Sequence, residues 1–311
     1  MIETSWGPLA VADAHVHFFS HWFFASLADQ KGVPTDQLAP LLNWQLPAED
    51  PRQLADGWVR ELDKYGVAKA SLIASVPGDG GSVIAAVRQH PERFYGYMMV
   101  NPVAPGADSQ VKTALGSGNI HAVGFFPAMH RYSMHDDRVT VLLELLAAHQ
   151  SQAQPQARTV AFVHCGVLSV GVRKVLGLPS LFDMRYSNPI DLHGVALRFP
   201  QIRFVVPHFG AGYFRESLML CDLCPNVYLD TSSSNSWMRY EEAHLDLRTV
   251  FRRALDVAGP RRLLFGTDSS FFPRGWNAPV FETQSKALYE IGVNEEIARQ
   301  ILHDNLIRLF S

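Results

Sequence analysis

Three cysteines in 311 residues are too few, and odd in number, for a disulfide framework. Cys165, Cys221 and Cys224 fit a reducing compartment, and Cys221-x-x-Cys224 has no second pair to complete a zinc knuckle. That pair reads as buried thiols on a helix. Basic charge is not in excess either: 27 Lys and Arg against 30 Asp and Glu leave a net charge of −3. This excludes a nucleic-acid footprint and a polybasic membrane patch, so the expected partner is a small molecule. No apolar run is long enough to span a bilayer; the aromatic stretch from Phe18 to Ala28 is short and carries Ser20 and His21. Met1-Ile2-Glu3-Thr4 lacks the basic-then-apolar order of a secretory leader, so a cytoplasmic location is expected. Short-period repeats and a disordered tail are also missing.

What is present is a regular alternation. Hydrophobic residues make up 47% and charged residues 18%, the balance of a globular protein of enzyme size. The apolar run Leu9–Ala12 reads as a strand leading into Asp13-Ala14-His15-Val16-His17. Further strands are expected at 67–76, 94–100, 121–126, 159–164, 202–206, 227–229 and 262–265. Helical segments fall between them at 54–65, 81–89, 109–115, 136–149, 190–198, 213–223 and 241–257, and two more at 280–291 and 295–309 close the chain. In 136–149, Val139, Leu142, Leu143 and Leu146 recur at helical spacing. Eight β/α units predict one domain over residues 1–311, a (β/α)8 barrel, for which about 250 residues suffice. No Gly-rich phosphate loop follows the first strand, which disfavours a doubly wound nucleotide-binding sheet. The surplus lies in insertions after the first strand (18–53) and the fifth (166–188). The first is rich in aromatic residues and proline, and is expected to be a lid over the site or a subunit contact.

In such a barrel chemistry sits at the C-terminal ends of the strands. Those ends carry His15 and His17, then His164, His208 and Asp268. Side chains alternate along a strand, so Asp13, His15 and His17 are expected on one face, where two imidazoles can grip one ion. Asp13, deeper in the strand, is expected to support the ligands from below or to sit at the barrel floor. Asp230 is left between supporting a ligand and capping a helix. His90, His149, His244 and His303 fall on helices or helix ends and read as surface residues, and His121 opens a strand at the opposite end.

The order Asp13-x-His15-x-His17, His164, His208, Asp268 resembles the amidohydrolase superfamily. More narrowly, it is similar to the amidohydrolase-related family of aminocarboxymuconate semialdehyde decarboxylase, resorcylate-type decarboxylases and pyrone dicarboxylate lactonase. Val206-Pro207-His208-Phe209-Gly210-Ala211-Gly212, Leu264-Phe265-Gly266-Thr267-Asp268 and His303-Asp304-Asn305-Leu306 carry that resemblance. It implies a divalent metal, most often zinc with manganese or iron as alternatives, held by His15, His17, His164 and Asp268. It implies that His208 meets the water or the reacting group, and it makes a homodimer plausible. Binuclear members carry a lysine at the end of the fourth strand; here that strand reads Val123-Gly124-Phe125-Phe126-Pro127, so one ion is expected.

The activity this points to is hydrolysis of an amide, ester or lactone of a small organic acid by a metal-activated water, with Asp268 moving the proton and His208 assisting. The alternative on the same ligands is non-oxidative decarboxylation of an aromatic or muconate-type acid. A barrel that only binds a ligand is a third reading, disfavoured by the complete ligand set. A substrate carboxylate needs a cation, for which Arg274 and Arg185 are the main candidates, with Arg131 and Arg215 behind them. Trp276 and His130 are the other expected substrate contacts.

Overall fold

The computed structural model describes residues 1–152, 159–168, 171–233, 235–241 and 245–311. The Gln-rich polar loop expected over 150–158, His244, and the opening of the helix expected from Glu241 fall largely outside the described residues.

The run Leu9–Ala12 divides between two elements. β1 (Ile2–Thr4) and β2 (Gly7–Leu9) pair antiparallel as a hairpin, and Ala12 opens β3 (Ala12–Phe18). Seven strands follow: β4 (Lys69–Ala74), β5 (Phe94–Val100), β6 (Ala122–Phe125), β7 (Val160–Val163), β8 (Arg203–Val206), β9 (Val227–Asp230) and β10 (Leu263–Leu264). Each pairs in parallel with its neighbour in sequence. Across the seam, the Ala14 N–H donates to Phe265 O at 2.8 Å and the His17 N–H to Ser269 O at 2.7 Å. With helices between the strands this is a single-domain (β/α)8 barrel.

Local sequence explains where the helices start and stop. Pro51–Tyr65 begins at Asp50, whose side chain accepts from Arg52 N, has proline in its first turn, and ends at Gly66 with φ 74°. A Cβ at residue 66 would strike the Met1 carbonyl, so glycine is required twice over. Ala55, Trp58 and Leu62 form the buried stripe of this helix. The apolar core of the barrel has two layers. One lies between strands and helices; the other fills the barrel with Ile73, Tyr97, Phe162, Val205 and Leu264. A third, smaller cluster joins the 18–53 helices to Val172 and Leu176. Phe310 plugs the N-terminal end of the barrel against Tyr95 and His121, with ring centroids 4.4 and 5.5 Å away. His121 therefore lies at the end opposite the site. No described helix is long and apolar enough to cross a membrane.

β3 departs from simple alternation. Asp13 pairs with Ala70 but Val16 with Leu72, so three steps on β3 meet two on β4, a bulge. Ala12 and Ala14 pack inside the barrel, whereas Val11, Val16 and Phe18 pack toward the helices. The phase changes between residues 14 and 16. His15 turns into the mouth with His17, while Asp13 faces the helix layer and accepts from the Trp276 indole N–H at 2.8 Å. The expectation that residues 13, 15 and 17 share one face is corrected for Asp13, because one extra residue inverts every side chain before it.

The 18–53 segment is not irregular. It folds into helices His21–Lys31 and Thr35–Leu42, the first capped by Ser20, whose side chain accepts from Phe23 N. Ser20 also donates to Asp79 at 2.6 Å, tying the segment to the loop after β4.

Candidate metal centre and active site

At the rim, the ends of β3 and β10 converge. His17 Nε2 lies 3.2 Å from Asp268 Oδ1, His15 Nε2 lies 3.7 Å from the same oxygen, and the two Nε2 atoms are 3.4 Å apart. Each imidazole is fixed from behind. His15 Nδ1 faces Asp230 Oδ2 at 2.6 Å, and His17 Nδ1 faces Ser75 Oγ at 2.8 Å. Ser75 gives its own hydrogen to the Ile73 carbonyl at 3.0 Å, so it accepts from His17. With Nδ1 protonated, either ring in its neutral form turns its Nε2 lone pair toward an Asp268 oxygen. Three acceptors with no donor between them repel one another unless a cation stands among them. His15, His17 and Asp268 are the one group of three such ligands whose atoms all fall within 4.8 Å among the described residues. The donor set of two imidazoles and a carboxylate fits a zinc-like divalent ion.

His164 and His208 line the same cavity but stand outside that tight group. Their rings are 5.2 Å apart, and His208 is 4.9 Å from His15. His164 Nε2 is buried with no hydrogen-bond partner, which suits a fourth ligand atom. Asp268 (φ 58°) and His208 (φ 57°) both hold left-handed backbone that side chains rarely adopt, and strain of this kind gathers at functional sites. Gly266 lets the walls close in: a Cβ there would lie 2.8 Å from Asp230 Oδ1 and 3.0 Å from His15 Cβ.

Electrostatics follow the burial. Burial opposes a charge on His15, but Asp230 outweighs it and holds the imidazole above its ordinary range. Burial pushes His17 and His208 down, and His164 well down with the help of neighbouring histidines. Burial would raise Asp268, but His17 at 3.2 Å and the nearby imidazoles of His15 and His208 hold it well below the usual carboxylate range. Asp268 is therefore held as an anion, while burial disfavours a charge on His17, His164 and His208.

The cavity holds about 360 Å³. Its outer wall is aromatic and is built mainly from the 18–53 segment. Phe23 stacks on Phe19 (3.9 Å), Phe19 on Trp44 (5.7 Å), and Trp44 on Phe271 (4.1 Å). Arg274 closes the row, its guanidinium 4.7 Å from the Phe271 centroid and hydrogen-bonded to the Asp268 carbonyl and Ser270 Oγ at 2.9 and 2.8 Å. A second cavity of about 490 Å³ lies behind Phe19 and Phe271 beside Arg60 and Lys64, and contains none of these histidines.

The other expected substrate contacts are not brought to this cavity. Arg185 is 80% exposed and paired with Asp183 at 2.6 Å, because the short helix Met184–Tyr186 turns it outward. Arg131 donates to the Leu181 carbonyl, and Arg215 to Glu216. Trp276 is buried in the helix layer: its N–H is held by Glu61 and its indole by Asp13, so it is a packing residue. His130 stacks on Tyr132 and is pushed down to about 4 by burial, while its neighbour Met129 takes the place in the cavity wall. Sequence reasoning assigned no role to Ser75 or Ser232, although both are polar residues at strand ends, and left Asp230 undecided. All three cysteines are buried free thiols.

A family model described as amidohydrolase matches residues 12–311. The chain belongs to the amidohydrolase family. Among curated proteins, fluG of Emericella nidulans is 32% identical over 87 residues, 28% of this chain but only 10% of that longer protein. Solved structures resemble the amidohydrolase barrel over its whole length. An uncharacterized TIM-barrel protein of Bordetella bronchiseptica superposes with a TM-score of 0.63 at 18% identity, covering 97% of this chain and 98% of that one. A probable 2-pyrone-4,6-dicarboxylic acid hydrolase of Acinetobacter baumannii follows at 0.61 and 13%, covering 97% and 99%. An amidohydrolase of Burkholderia multivorans with bound zinc gives 0.59 at 14%, covering 96% and 98%. At these identities the likeness is one of fold.

Proposed function

We propose that this amidohydrolase is a metal-dependent hydrolase that opens an amide, ester or lactone of a small organic acid. The observation that carries the proposal is the convergence of His15 Nε2, His17 Nε2 and Asp268 Oδ1 within 3.7 Å of one another. His15, His17, His164 and Asp268 would hold one divalent ion, zinc in first place, manganese or iron otherwise. Neither β6 nor Phe126 directly after it offers a lysine, and Phe126 stacks on His164 at 5.4 Å, which supports a single ion. When bound, the ion acidifies a water and polarises a carbonyl. The zinc-bound relative from Burkholderia and the pyrone dicarboxylate hydrolase from Acinetobacter are consistent with that chemistry.

The chain's own residues do the rest. Asp268, ionised and about a third exposed, accepts a proton from the attacking water and passes it to the leaving oxygen or nitrogen as the carbonyl carbon–heteroatom bond breaks. His208 faces the reacting carbonyl from β8. Stacked Phe19, Trp44 and Phe271 offer a flat apolar wall to a planar substrate, and Arg274 offers its cation to a carboxylate at the wall's edge. The 18–53 segment acts as lid, since its aromatic residues build that wall. Three free thiols and the small apolar cavity fit a cytoplasmic enzyme acting on a small molecule.

Elemental analysis, paired with hydrolysis and CO2-release assays on lactones, esters, amides and aromatic acids, tests this. About one metal per chain with hydrolysis is the expected result. One metal with CO2 release would make the enzyme a decarboxylase, a reading that Arg274 also favours by gripping a carboxylate. No metal under replete conditions would overturn both.

A further inference from the structure

Ser232 joins His15 to His208, and its hydroxyl hydrogen has one acceptor open to it. The side chain is fully buried. Its Oγ lies 3.0 Å from His15 Nδ1 and 2.8 Å from His208 Nδ1. His15 Nδ1 faces the Asp230 carboxylate at 2.6 Å, so that nitrogen carries a hydrogen and cannot accept one. Asp230 Oδ1 is already taken by the Ser232 backbone N–H at 2.7 Å. The remaining partner is His208 Nδ1. A competing arrangement would put the hydrogen on His208 Nδ1 and direct it to the Ser232 carbonyl, but that contact is the longer one at 3.3 Å.

We propose that Ser232 is a positioning residue that fixes His208 as the tautomer with its hydrogen on Nε2, making His208 a hydrogen-bond donor toward the cavity. The hydroxyl donates to Nδ1. That leaves Nε2–H, on the opposite edge of the ring, for the space where a substrate oxygen would gain negative charge. A neutral imidazole in this state stabilises an oxyanion. It offers no lone pair at Nε2, so it neither ligates an ion there nor acts as a base. The arrangement also divides the labour of the histidines. Asp230 makes His15 present a lone pair, and Ser232 makes its neighbour His208 present a hydrogen. The consequence for catalysis rests on the proposed function, whereas the tautomer is a property of the resting protein.

The test is long-range proton–nitrogen correlation on protein carrying 15N-histidine. Spectra are taken at pH 8, where an ordinary imidazole is neutral, in metal-free and zinc-loaded forms. The His208 signals are assigned by their loss in H208Q. The expected pattern has Nδ1 unprotonated and Nε2 protonated in both forms. In S232A the hydroxyl is gone while the carbonyl of residue 232 remains, so the pattern shifts toward Nδ1–H; S232T restores the wild-type pattern. On any substrate turned over, S232A is expected to lose about 10- to 100-fold in kcat and S232T to recover most of it. An Nδ1–H pattern in the wild-type protein, or an S232A spectrum identical to it, overturns the proposal. Should S232A fail to fold, the wild-type and S232T spectra decide the matter alone. Failure to find a hydrolysed substrate would strike the proposed function and leave the tautomer result standing.

Discussion

His15 Nδ1 lies 2.6 Å from Asp230 Oδ2, and both side chains are cut off from solvent. The two residues are 215 positions apart in the chain, yet the carboxylate decides which nitrogen of His15 faces the ion site. An outer partner of this kind raises the basicity of a ligand and holds its ring in place. Asp230→Asn keeps an acceptor but removes the charge. We expect metal affinity to fall about 10- to 100-fold, measured by competition against a chelator. Unchanged affinity would show that β3 alone orients His15.

His15→Ala and His17→Ala each remove one of the converging lone pairs. Metal content after purification is expected to fall well below that of the wild type, and His164→Ala is expected to weaken retention as well. Full occupancy in both β3 variants would remove these histidines from the ligand set.

Asp268→Asn keeps the size of the side chain and abolishes its proton transfer. Folding, followed by circular dichroism, is expected to be retained. Turnover of an identified substrate should drop about 10²- to 10⁴-fold. Rates near the wild type would take Asp268 out of its acid–base role.

His121, at the closed end of the barrel, gives a pH dependence independent of the metal. Burial first, then the charge of Lys69, pushes it down to about 4, against roughly 6.5 in the unfolded chain. Between those values the unfolded chain binds the proton and the folded one does not. The stability this group contributes is therefore present above pH 6.5 and lost as pH falls toward 4. Asp13 and Asp79, both pushed up to about 6 by burial, act in the opposite sense over part of this range. The quantity to measure is thus the wild-type minus H121Q difference in urea unfolding. It should fall by roughly 2 kcal/mol from pH 7 to pH 4.5, after discounting for the partial exposure of the ring. A constant difference would show that His121 does not resist protonation in the fold.

Trp276→Phe tests the assignment of this residue to packing. The variant leaves one contact of the buried Asp13 carboxylate unmade while Thr267 still donates to it. The expected cost is about 1–3 kcal/mol of stability with kcat changed less than about threefold. A selective rise in KM with unchanged stability would return Trp276 to the substrate wall.

Legibility in the sequence followed periodicity. The strands and most helices could be read because apolar residues recur at fixed spacing, and their ends erred by only a few residues. The 18–53 segment defeated that reading: Pro40 inside the short helix Thr35–Leu42 reads as a break, yet His21–Lys31 and Thr35–Leu42 bury Phe23, Phe24, Leu27, Leu38 and Leu42 in a small core of their own. Arg185, read as a substrate contact, sits beside Asp183 in a local ion pair, which nothing in the order of residues distinguishes from a free cation.

By itself the sequence determined the barrel and the gathering of His15, His17, His164, His208 and Asp268 on one rim. In a parallel barrel every strand ends on the same face, so residues that close successive strands meet however far apart they lie in the chain. Only the tertiary structure decided which way each of them points. The bulge after Asp13 separates it from His15, Asp230 and Ser75 choose the exposed nitrogens of His15 and His17, and Ser232 lies between His15 and His208. These are matters of register and of hydrogen bonds between distant segments, and neither leaves a periodic trace in the order of amino acids.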